Sequence, residues 1–303
     1  VTSTLDTPMS PTRKRRPTLQ DIADLTGVTK MTVSRYLRDP SAVAEGTRER
    51  IAAAVEELGY IPNRAPDMLS NATSKAIGIL IPSLSNQVFS AVIHGIEAVT
   101  RPAGYQTLLA HYGYSPEREE EQVASLLSYN VDGLILSDTQ HTERTRKMIA
   151  TAGIPVVETM DLPLSPIDMV VGMDHRAAAR AMVTEMLRRG RRKVVYLGAR
   201  LDVRTQLRME GYYQAMADFG LNGQHLLTEQ SSSFTLGGEL LEQAMARYPD
   251  LAGLFCTNDD VAVGALLQCQ AKWIPVPQQI AIAGCNALDI GHAMTPKLAS
   301  IST

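Results

Sequence analysis

The stretch TLQDIADLTGVTKMTVSRYL, residues 18–37, decides the fold of the N-terminal part of the chain. Thr18 followed three residues later by Asp21 is a capping-box arrangement, which begins a helix, and Gly27 ends that helix. Thr29 then caps a second short segment that has its own apolar face. Two short helices separated by a turn that contains glycine predict a helix-turn-helix.

A third amphipathic helix is predicted downstream of this pair. Its apolar residues Ile51, Val55 and Leu58 are spaced four and three apart, and Gly59 ends it. Three short helices with apolar faces are enough to enclose one small core. We therefore predict a compact helical head over residues 17–62.

The outward-facing positions of the second helix carry short polar groups and cations, without any carboxylate. These residues are Lys30, Met31, Thr32, Ser34 and Arg35. An ordinary solvated helix face usually mixes Glu with Lys, whereas these side chains suit base edges and phosphates in a major groove. The pattern favours DNA binding over a simple solvent-facing surface.

Charge is distributed unevenly along the chain. The net charge of −3 argues by itself against a nucleic-acid-binding protein. Between Arg13 and Arg64, however, ten Lys and Arg residues oppose seven Asp and Glu residues, so this segment carries +3 and the remainder carries −6. A basic head on an acidic body indicates that only the head contacts phosphate.

From Ala76 onward, short apolar runs alternate with amphipathic helical stretches. The predicted strands span residues 76–81, 105–110, 133–137, 155–159, 169–173, 193–198, 253–257 and 280–284. Repeated β-α units with fully apolar strands predict an α/β domain with doubly wound parallel sheets covered by helices on both faces. Their order predicts two lobes, residues 76–162 and 163–303.

Ligands of such sheets bind beyond the carboxyl ends of the strands, so the side chains that follow strands are candidates for a ligand site. These candidates are Asn86, Gln87, Phe89, Glu158, Asp161, Asp174, Arg204, Arg208, Asn258 and Asn286, with Asp259 and Asp260 as further possibilities. For each acidic candidate the alternative is a helix N-cap or a hydrogen bond between the lobes.

The segment TLQDIADLTGVTKMTVSRYLRDPSAVAEGTRERIAAAVEELGYIPNRAPDMLS closely resembles the head and hinge of the lac/gal repressor (LacI) family. The resemblance continues along essentially the whole remaining chain. Within the family, TKMTVSR, GYIPNRAPDML and GYQTLLAHYGY are similar to regulators of gluconate and idonate genes. The resemblance implies a basic, disordered tail over residues 1–16, a hinge over 63–75 and a two-lobed, periplasmic-binding-protein-like domain over 76–303.

The resemblance also implies how the head binds DNA. Lys30 and Met31 would contact bases, and Arg35 would reach a guanine edge. The residues that would hold phosphates are Thr18, Thr29, Thr32, Ser34 and Asn63. Leu69 would enter the minor groove and kink the centre of the operator. The hinge segment Arg64–Asn71, which a proline interrupts, is expected to become helical only when two copies pair on DNA.

For the second domain, the resemblance implies an effector site. Arg208 matches the ligand-binding arginine of the family and Asn258 its ligand-binding asparagine, while Asn286 stands where many relatives carry aspartate. A polyol carboxylate needs guanidinium donors for its acid end and Asp or Asn groups for its hydroxyls. We therefore expect gluconate or a similar sugar acid as the effector, which would release a homodimer from a near-palindromic operator.

Several positions depart from the family pattern. Ala44 replaces the serine that usually caps the third helix, Trp273 stands in place of a helix-ending glycine, and His175 replaces a common asparagine. The family also continues through a further helix and strands after Thr303, so we expect a C-terminally truncated chain with less buried surface at the lobe interface and the dimer. We expect Val1 to be an alternative start, with Met9 as the candidate for the real one.

Three alternatives remain at this stage. One is a sugar-acid-binding protein without DNA regulation, and another is a truncated, inactive regulator. An enzyme on a doubly wound sheet is the third, although the sequence has no G-x-G-x-x-G turn, P-loop, nucleophile elbow or metal cluster. Its six histidines are scattered singly, so we expect no catalytic residues, metal or cofactor. The sequence does not separate gluconate from idonate or other sugar acids.

Composition bears on the location of the protein. No apolar run approaches the roughly 18 residues that a membrane span needs, and the first residues are polar, so we expect neither a membrane segment nor a secretory signal. Cys256, Cys269 and Cys285 lack metal-ligand spacing and are expected to be reduced thiols. A cytoplasmic, nucleoid-associated protein is the expectation.

Overall fold

The computed structural model describes residues 15–63 and 73–303 of the chain. Most of the predicted basic tail, residues 1–14, lies outside the described residues. The segment 64–72, which contains most of the predicted hinge and Leu69, lies outside them as well.

The chain divides into two compact units, Val1–Ala72 and Thr73–Thr303. The division falls inside the segment 63–75, where the sequence predicts a hinge and linker. The N-terminal unit corresponds to the predicted helical head, and the second unit to the predicted α/β domain.

The described part of the N-terminal unit contains three helices. They are α1 (Leu19–Thr26), α2 (Lys30–Arg38) and α3 (Glu45–Leu58), with a short 3-10 turn at Pro40–Ala42 before α3. Ile22, Val33 and Ile51, one from each helix, are fully buried at the centre of a single core. Burial of each such side chain contributes about 1.5–3 kcal/mol, so a head of this size depends on all three.

The helix ends show which local signals hold the head together. The backbone N–H of Thr18 donates to the Asp21 carboxylate at 2.6 Å, which completes the capping box of α1. Thr29 Oγ1 accepts from the backbone N–H of Thr32 at 3.2 Å and caps α2. Ala44 has no side-chain oxygen, so α3 begins without a side-chain cap, as the sequence predicts.

The second unit contains two five-stranded parallel sheets with the same strand order. The first sheet runs β2-β1-β3-β4-β5 and the second β7-β6-β8-β9-β10. Their strands are β1 (Ala76–Ile81), β2 (Gln106–His111), β3 (Gly133–Leu136), β4 (Val156–Met160), β5 (Met169–Gly172), β6 (Val194–Ala199), β7 (Gln224–Thr228), β8 (Gly253–Cys256), β9 (Ala281–Asn286) and β10 (Ala299–Ser302). In each sheet the order reverses between the first and third strands, the place where such sheets bind ligands.

Helices alternate with these strands. They are α4 (Val88–Thr100), α5 (Pro116–Ser128), α6 (Glu143–Ala152), α7 (His175–Arg188), α8 (Val203–Asp218), α9 (Phe234–Arg247), α10 (Asp259–Ala271) and α11 (Asp289–Ala293). We call the part built on the first sheet, residues 73–172, the first lobe, and residues 175–303 the second lobe.

All eight predicted strands are present, but the structure differs from the prediction at three places. β7 and β10 were not predicted, because both are short edge strands with mixed polar and apolar residues. β5, which we assigned to the second lobe, pairs with β4 at the edge of the first sheet. The predicted lobe boundary at residue 162 is therefore too early, since the connection 161–168 returns the chain to the same sheet without a helix.

Candidate functional site

The exposed face of α2 carries the side chains that the sequence predicts for base contacts. Lys30 and Arg35 are exposed, and Met31 is 71 % exposed, although it is apolar. Val33, on the opposite face, is fully buried in the core of the head. Because Met31 has so little packing role within the head, it is available for apolar contact in a DNA groove.

The residues predicted to contact phosphates differ in their exposure and in the hydrogen bonds that they already make. The hydroxyl of Thr18 donates to Asp21 at 2.7 Å, so it is already used inside the capping box. Thr29 is exposed at the N-terminus of α2, and its Oγ1 lies 3.0 Å from that of Thr32. Ser34 is half-buried. A helix N-terminus presents backbone N–H groups and positive dipole to a phosphate, which favours Thr29 as a contact.

Asn63 is exposed where the described part of the head ends. Leu69 lies outside the described residues, so its minor-groove contact stays a prediction. The structure of the head thus places Lys30, Met31 and Arg35 on one exposed face of α2. The hinge contacts are expectations from the resemblance alone.

In the second unit, the carboxyl ends of strands from both sheets open into one cleft between the lobes. Six of the predicted effector residues line it, namely Asn86, Phe89, Arg204, Arg208, Asn258 and Asn286. Tyr114, Arg200, Asp202 and Thr257 line it as well and were not predicted. The open volume within the cleft is about 30 Å³, close to that of one water molecule. A ligand must therefore displace side chains or move the lobes apart.

Arg204 of α8 crosses from the second lobe to the first. Its Nη2 atom donates to the backbone carbonyl of Ser137 at 2.5 Å and lies 2.8 Å from the Asp161 carboxylate. Burial by itself would raise the pKa of Asp161, but the hydrogen bond from His175 and the charge of Arg204 outweigh it and hold that pKa below its usual range. Asp161 is therefore an ionised partner for the guanidinium.

Arg208, one helical turn further along α8, is held by a second buried chain of contacts. Its Nη1 donates to the backbone carbonyl of Thr257, and its Nε donates to His175 Nδ1 at 3.3 Å. His175 Nε2 lies 3.0 Å from the carbonyl oxygen of Met160 and 3.1 Å from Asp161 Oδ1. Because Nδ1 accepts from arginine, Nε2 carries the proton and donates to the first lobe. His175 thus links Arg208 to Asp161.

A larger cavity adjoins the cleft. Its volume is about 280 Å³, and it shares Tyr114, Arg200, Asp202 and Arg204 with the cleft. Asp161 lines this cavity and not the cleft. The polar surface available to a ligand therefore continues past Arg204.

Three predicted effector residues line neither the cleft nor the adjoining cavity. Gln87 is exposed at the start of α4 and does not line the cleft. Asp174 caps α7 by accepting from the backbone N–H of Ala177 at 2.9 Å, which is the alternative considered for it. Glu158 is fully buried and accepts from the backbone N–H of Ile167 at 2.5 Å. Its position within β4, two residues after Val156, turns it to the same inward face.

The further candidates Asp259 and Asp260 are also outside the cleft. Asp259 is fully buried, accepts from Ser300 Oγ at 2.6 Å and from the backbone N–H of Leu288 at 2.7 Å, and so supports the packing of the second lobe. Asp260 is half-buried and lines neither the cleft nor the adjoining cavity. Burial raises the pKa of both carboxyl groups.

Left-handed backbone conformations concentrate around the cleft. Tyr114, Arg200 and Asn286 have φ values of 61°, 68° and 115°, and Met160 has 82°. Residues other than glycine rarely adopt such φ values, at a cost of about 1–3 kcal/mol each. Strain of this kind persists where the surroundings impose it and is typical of binding sites.

The rule that selected Arg204 applies to all four unpredicted residues. Arg200 directly follows β6 and Thr257 directly follows β8. Asp202 and Tyr114 each come three residues after the end of a strand, β6 and β2. His175 is noticeable in the sequence only as a departure from the family, and its partners Arg208 and Asp161 become apparent only in the folded chain.

The fold and the two sites define a class of protein. A helix-turn-helix with a carboxylate-free second helix, followed by two lobes that enclose a polar cleft, is the architecture of a DNA-binding regulator with a small-molecule sensor. Over residues 15–63 and 73–303, no group of three or more His, Cys, Asp or Glu residues could hold a metal ion, and no helix is long and apolar enough to cross a membrane.

Comparison with known proteins identifies the family. Residues 18–63 match the model of bacterial regulatory proteins of the lacI family. Residues 74–302 match the model of periplasmic binding proteins and the sugar binding domain of the LacI family. The chain belongs to the LacI family and is a DNA-binding transcriptional regulator, which excludes the two alternatives of an enzyme and of a binding protein without DNA regulation.

The relatives agree with this assignment. The HTH-type transcriptional regulator GntR of Escherichia coli (strain K12) is 58 % identical over 291 residues, which cover 96 % of this chain and 88 % of that protein. The regulator IdnR of the same strain is 52 % identical over 292 residues, with coverage of 96 % and 88 %. A LacI family regulator from Silicibacter pomeroyi has a TM-score of 0.88 at 36 % identity, with coverage of 94 % and 87 %. The lac repressor dimer, solved bound to operator and to the anti-inducer ONPF, has the same fold, with a TM-score of 0.81 at 24 % identity and coverage of 95 % and 88 %.

Proposed function

We propose that this chain represses genes for the uptake and catabolism of gluconate or a related sugar acid, and that binding of this acid releases it from its operator. The observation that carries the proposal is the presence of three guanidinium groups, those of Arg200, Arg204 and Arg208, at a cleft whose other polar side chains are amides, hydroxyls and the carboxylate of Asp202. The resemblance to regulators of gluconate and idonate genes supports the same conclusion.

The chemistry of the cleft suits a polyol with one acidic end. Guanidinium groups bind carboxylates through charge-assisted, often bidentate hydrogen bonds. The amides of Asn258 and Asn286 both donate and accept, which is what a row of hydroxyl groups requires. Asn258 Oδ1 already accepts from the backbone N–H of Val261 at 3.2 Å, so its Nδ2 is the atom best placed to serve a ligand.

The mechanism follows from the contacts that join the lobes. In this structure Arg204 and His175 connect the lobes through protein acceptors alone, and Arg208 supports this link by donating to His175. A bound sugar acid adds new acceptors to the cleft and therefore changes the preferred angle between the lobes. The loss of operator-binding free energy then equals the difference between the binding free energies of the effector for the two lobe angles, typically about 1–3 kcal/mol.

On the DNA side, we infer that two copies bind the two halves of a near-palindromic operator as a homodimer. Lys30, Met31 and Arg35 contact bases, and the predicted threonine, serine and asparagine residues contact phosphates. The paired hinges, with Leu69, order in the central minor groove. This activity places the protein in the cytoplasm on the nucleoid.

Operator binding with and without sugar acids tests the effector proposal. The operator is first selected from a pool of random duplexes with the full chain, and its mobility shift is then titrated with gluconate and idonate. We expect a shifted complex that gluconate or idonate dissociates. A shift that neither acid relieves would reject the sugar-acid effector, and a selected operator without half-site symmetry would reject the paired mode of binding.

A matched pair of arginine variants tests the DNA-binding face. Arg35→Gln removes a base contact and should weaken binding to the selected operator by about 1–3 kcal/mol while relaxing specificity at one base pair. Arg192→Gln removes the same charge from an exposed position just before β6 and should leave operator affinity unchanged. Equal operator affinities for the two variants would contradict the assignment of Arg35.

A further inference from the structure

Arg200 has the least occupied guanidinium group of the three arginines that line the cleft. Arg204 and Arg208 are buried and donate to carbonyl, carboxylate or imidazole acceptors. Arg200 is half-buried, and among the described residues no carboxylate lies within 4 Å of it and no acceptor takes a hydrogen bond from its side chain. Arg208 has no contacting carboxylate either, but it donates to protein acceptors. Among the described residues, Arg200 is therefore the one of the three arginines whose guanidinium donates no hydrogen bond to the protein.

An aromatic ring of the opposite lobe holds Arg200. The guanidinium carbon lies 4.3 Å from the centroid of the Tyr114 ring, and Asn86 Nδ2 donates to the Tyr114 hydroxyl at 3.3 Å. A cation over an aromatic face is attracted by the ring, but all its N–H donors remain available for an anion. The contact positions the charge at the cleft without neutralising it.

The backbone on both sides of this contact is held in an unusual conformation. Arg200 and Leu201 are consecutive left-handed residues, with φ values of 68° and 52°, and Tyr114 faces them with 61°. The Arg200 N–H donates to the carbonyl of Gln230 at 2.9 Å, and Gln206 Nε2 donates to the carbonyl of Leu201 at 3.1 Å. These bonds fix the turn after β6, and with it the place of the Arg200 side chain.

Nearby carboxylates already have partners. The Asp202 carboxylate caps α8 by accepting from the backbone N–H of Thr205 at 2.8 Å. Asp161 is paired with Arg204 and His175. Releasing Arg208 for a ligand would leave the Thr257 carbonyl and the His175 ring buried without a donor, which is costly, whereas Arg200 can leave the Tyr114 ring without orphaning a buried acceptor.

We propose that Arg200 binds the carboxylate of the effector and thereby makes the sensor prefer sugar acids to neutral polyols of the same length. Arg204 and Arg208 keep their contacts with the protein and serve to hold the lobes and the hydroxyl-bearing part of the ligand. The inference rests on the proposed sugar-acid effector and adds the residue that recognises its charge. Arg200 also lines the larger adjoining cavity, so an anion bound to it remains accessible from there.

The test compares two ligands that differ only at one end. Gluconate carries a carboxylate where glucitol carries a hydroxymethyl group, and both are titrated into the full chain by calorimetry. We expect the wild-type protein to prefer gluconate. Arg200→Gln should weaken gluconate binding by about 10- to 100-fold, the range expected when one charge-assisted contact is lost, and leave glucitol binding unchanged.

Two further variants keep the test decisive. Arg200→Gly removes the whole side chain at a φ of 68° that glycine adopts without strain, so the turn is retained and the same loss is expected. Arg192→Gln, an exposed change of equal charge, should keep the wild-type preference.

The outcomes separate this inference from the function on which it rests. If the wild-type protein binds gluconate and both Arg200 variants keep its preference over glucitol, the inference is wrong and the proposed effector stands. Equal wild-type affinities for gluconate and glucitol would overturn the inference as well. If the wild-type protein binds neither gluconate nor idonate, the proposed function fails, and the assignment of Arg200 fails with it.

Discussion

Nη2 of Arg204 lies 2.8 Å from Oδ2 of Asp161, and the two residues belong to different lobes. Arg204 lies in the first turn of the helix that follows β6, whereas Asp161 directly follows β4. Both are less than a tenth exposed. The two lobes are therefore joined by a buried ion pair, whose removal affects the whole second unit.

Substitution of Asp161 tests the strength of this link. Asp161→Asn leaves the Arg204 guanidinium buried without its counter-charge, and we expect the free energy of unfolding of the second unit to fall by about 3–5 kcal/mol. As a control, Asp218→Asn removes the partner of Arg180 from a pair whose side chains are 52 % and 44 % exposed, and should cost at most about 1 kcal/mol. Urea unfolding followed by circular dichroism measures both, and similar losses would contradict a special role for Asp161.

His141 should make stability depend on pH in the neutral to basic range. Burial lowers its pKa, but the hydrogen bond with Glu119 at 2.9 Å and the charges of Glu119 and Glu158 outweigh burial, so the pKa lies above its ordinary value of 6.5. A raised pKa in the folded state stabilises the fold fully below pH 6.5, and this contribution is lost as the pH rises through the folded-state pKa.

The corresponding measurement is urea unfolding at a series of pH values between about 6 and 9. The wild-type free energy of unfolding should fall across this range by more than that of His141→Gln, which has no proton to lose. The exposed His94 provides the control, because His94→Gln should keep the wild-type slope. Parallel slopes for wild type and His141→Gln would show that the imidazole between the two carboxylates stays in one protonation state.

Ala44 offers a simple gain in stability for the head. Ala44→Ser places a hydroxyl at the N-cap of α3, where its φ and ψ of −57° and 144° suit a capping residue, and should stabilise this helix by about 1 kcal/mol. Ala52→Ser, an exposed change within the same helix, should instead cost a few tenths of a kcal/mol. Hydrogen exchange of the α3 amides in the full chain distinguishes the two, and unchanged protection in Ala44→Ser would contradict the prediction.

Trp273 is held in a conformation that suits glycine. It has a φ of 58°, is 91 % exposed, and follows α10, so its side chain gains little from packing. Trp273→Gly should raise the free energy of unfolding by about 0.5–1 kcal/mol, because relief of the left-handed strain exceeds the added entropy of the unfolded chain. Trp273→Ala keeps the Cβ atom and should bring no gain. Urea unfolding should be followed by circular dichroism, because Trp273 is the only tryptophan of the chain and both variants lose its fluorescence.

The helical head could be predicted almost completely from the sequence, because its determinants are local. Thr18 and Asp21 lie three residues apart, and their capping box forms within one helical turn. Gly27 and Gly59 mark helix ends through their own φ values of 66° and 59°. The buried strands of the second unit were found for a similar reason, since runs such as AIGILI can be satisfied only inside a covered parallel sheet.

The direction in which a side chain points and the residue that it contacts could not be predicted from the sequence. Glu158 and Asp161 both stand near the end of one apolar run, but the alternation of β4 turns Glu158 toward His141, whereas Asp161 follows the strand and reaches Arg204. Because side chains alternate between the two faces of a strand, an error of one residue in the strand register would exchange the inward-facing and outward-facing side chains.

What the sequence determined by itself is therefore the family, the helix-turn-helix and the two-lobed parallel-sheet architecture, because helix caps, apolar periodicity and the family motifs act over a few residues. Only the tertiary structure decided that Tyr114 lies under Arg200 and that His175 links Arg208 to Asp161. These partners are 86, 33 and 14 residues apart in the chain, and they meet because two sheets direct their strand ends into one cleft.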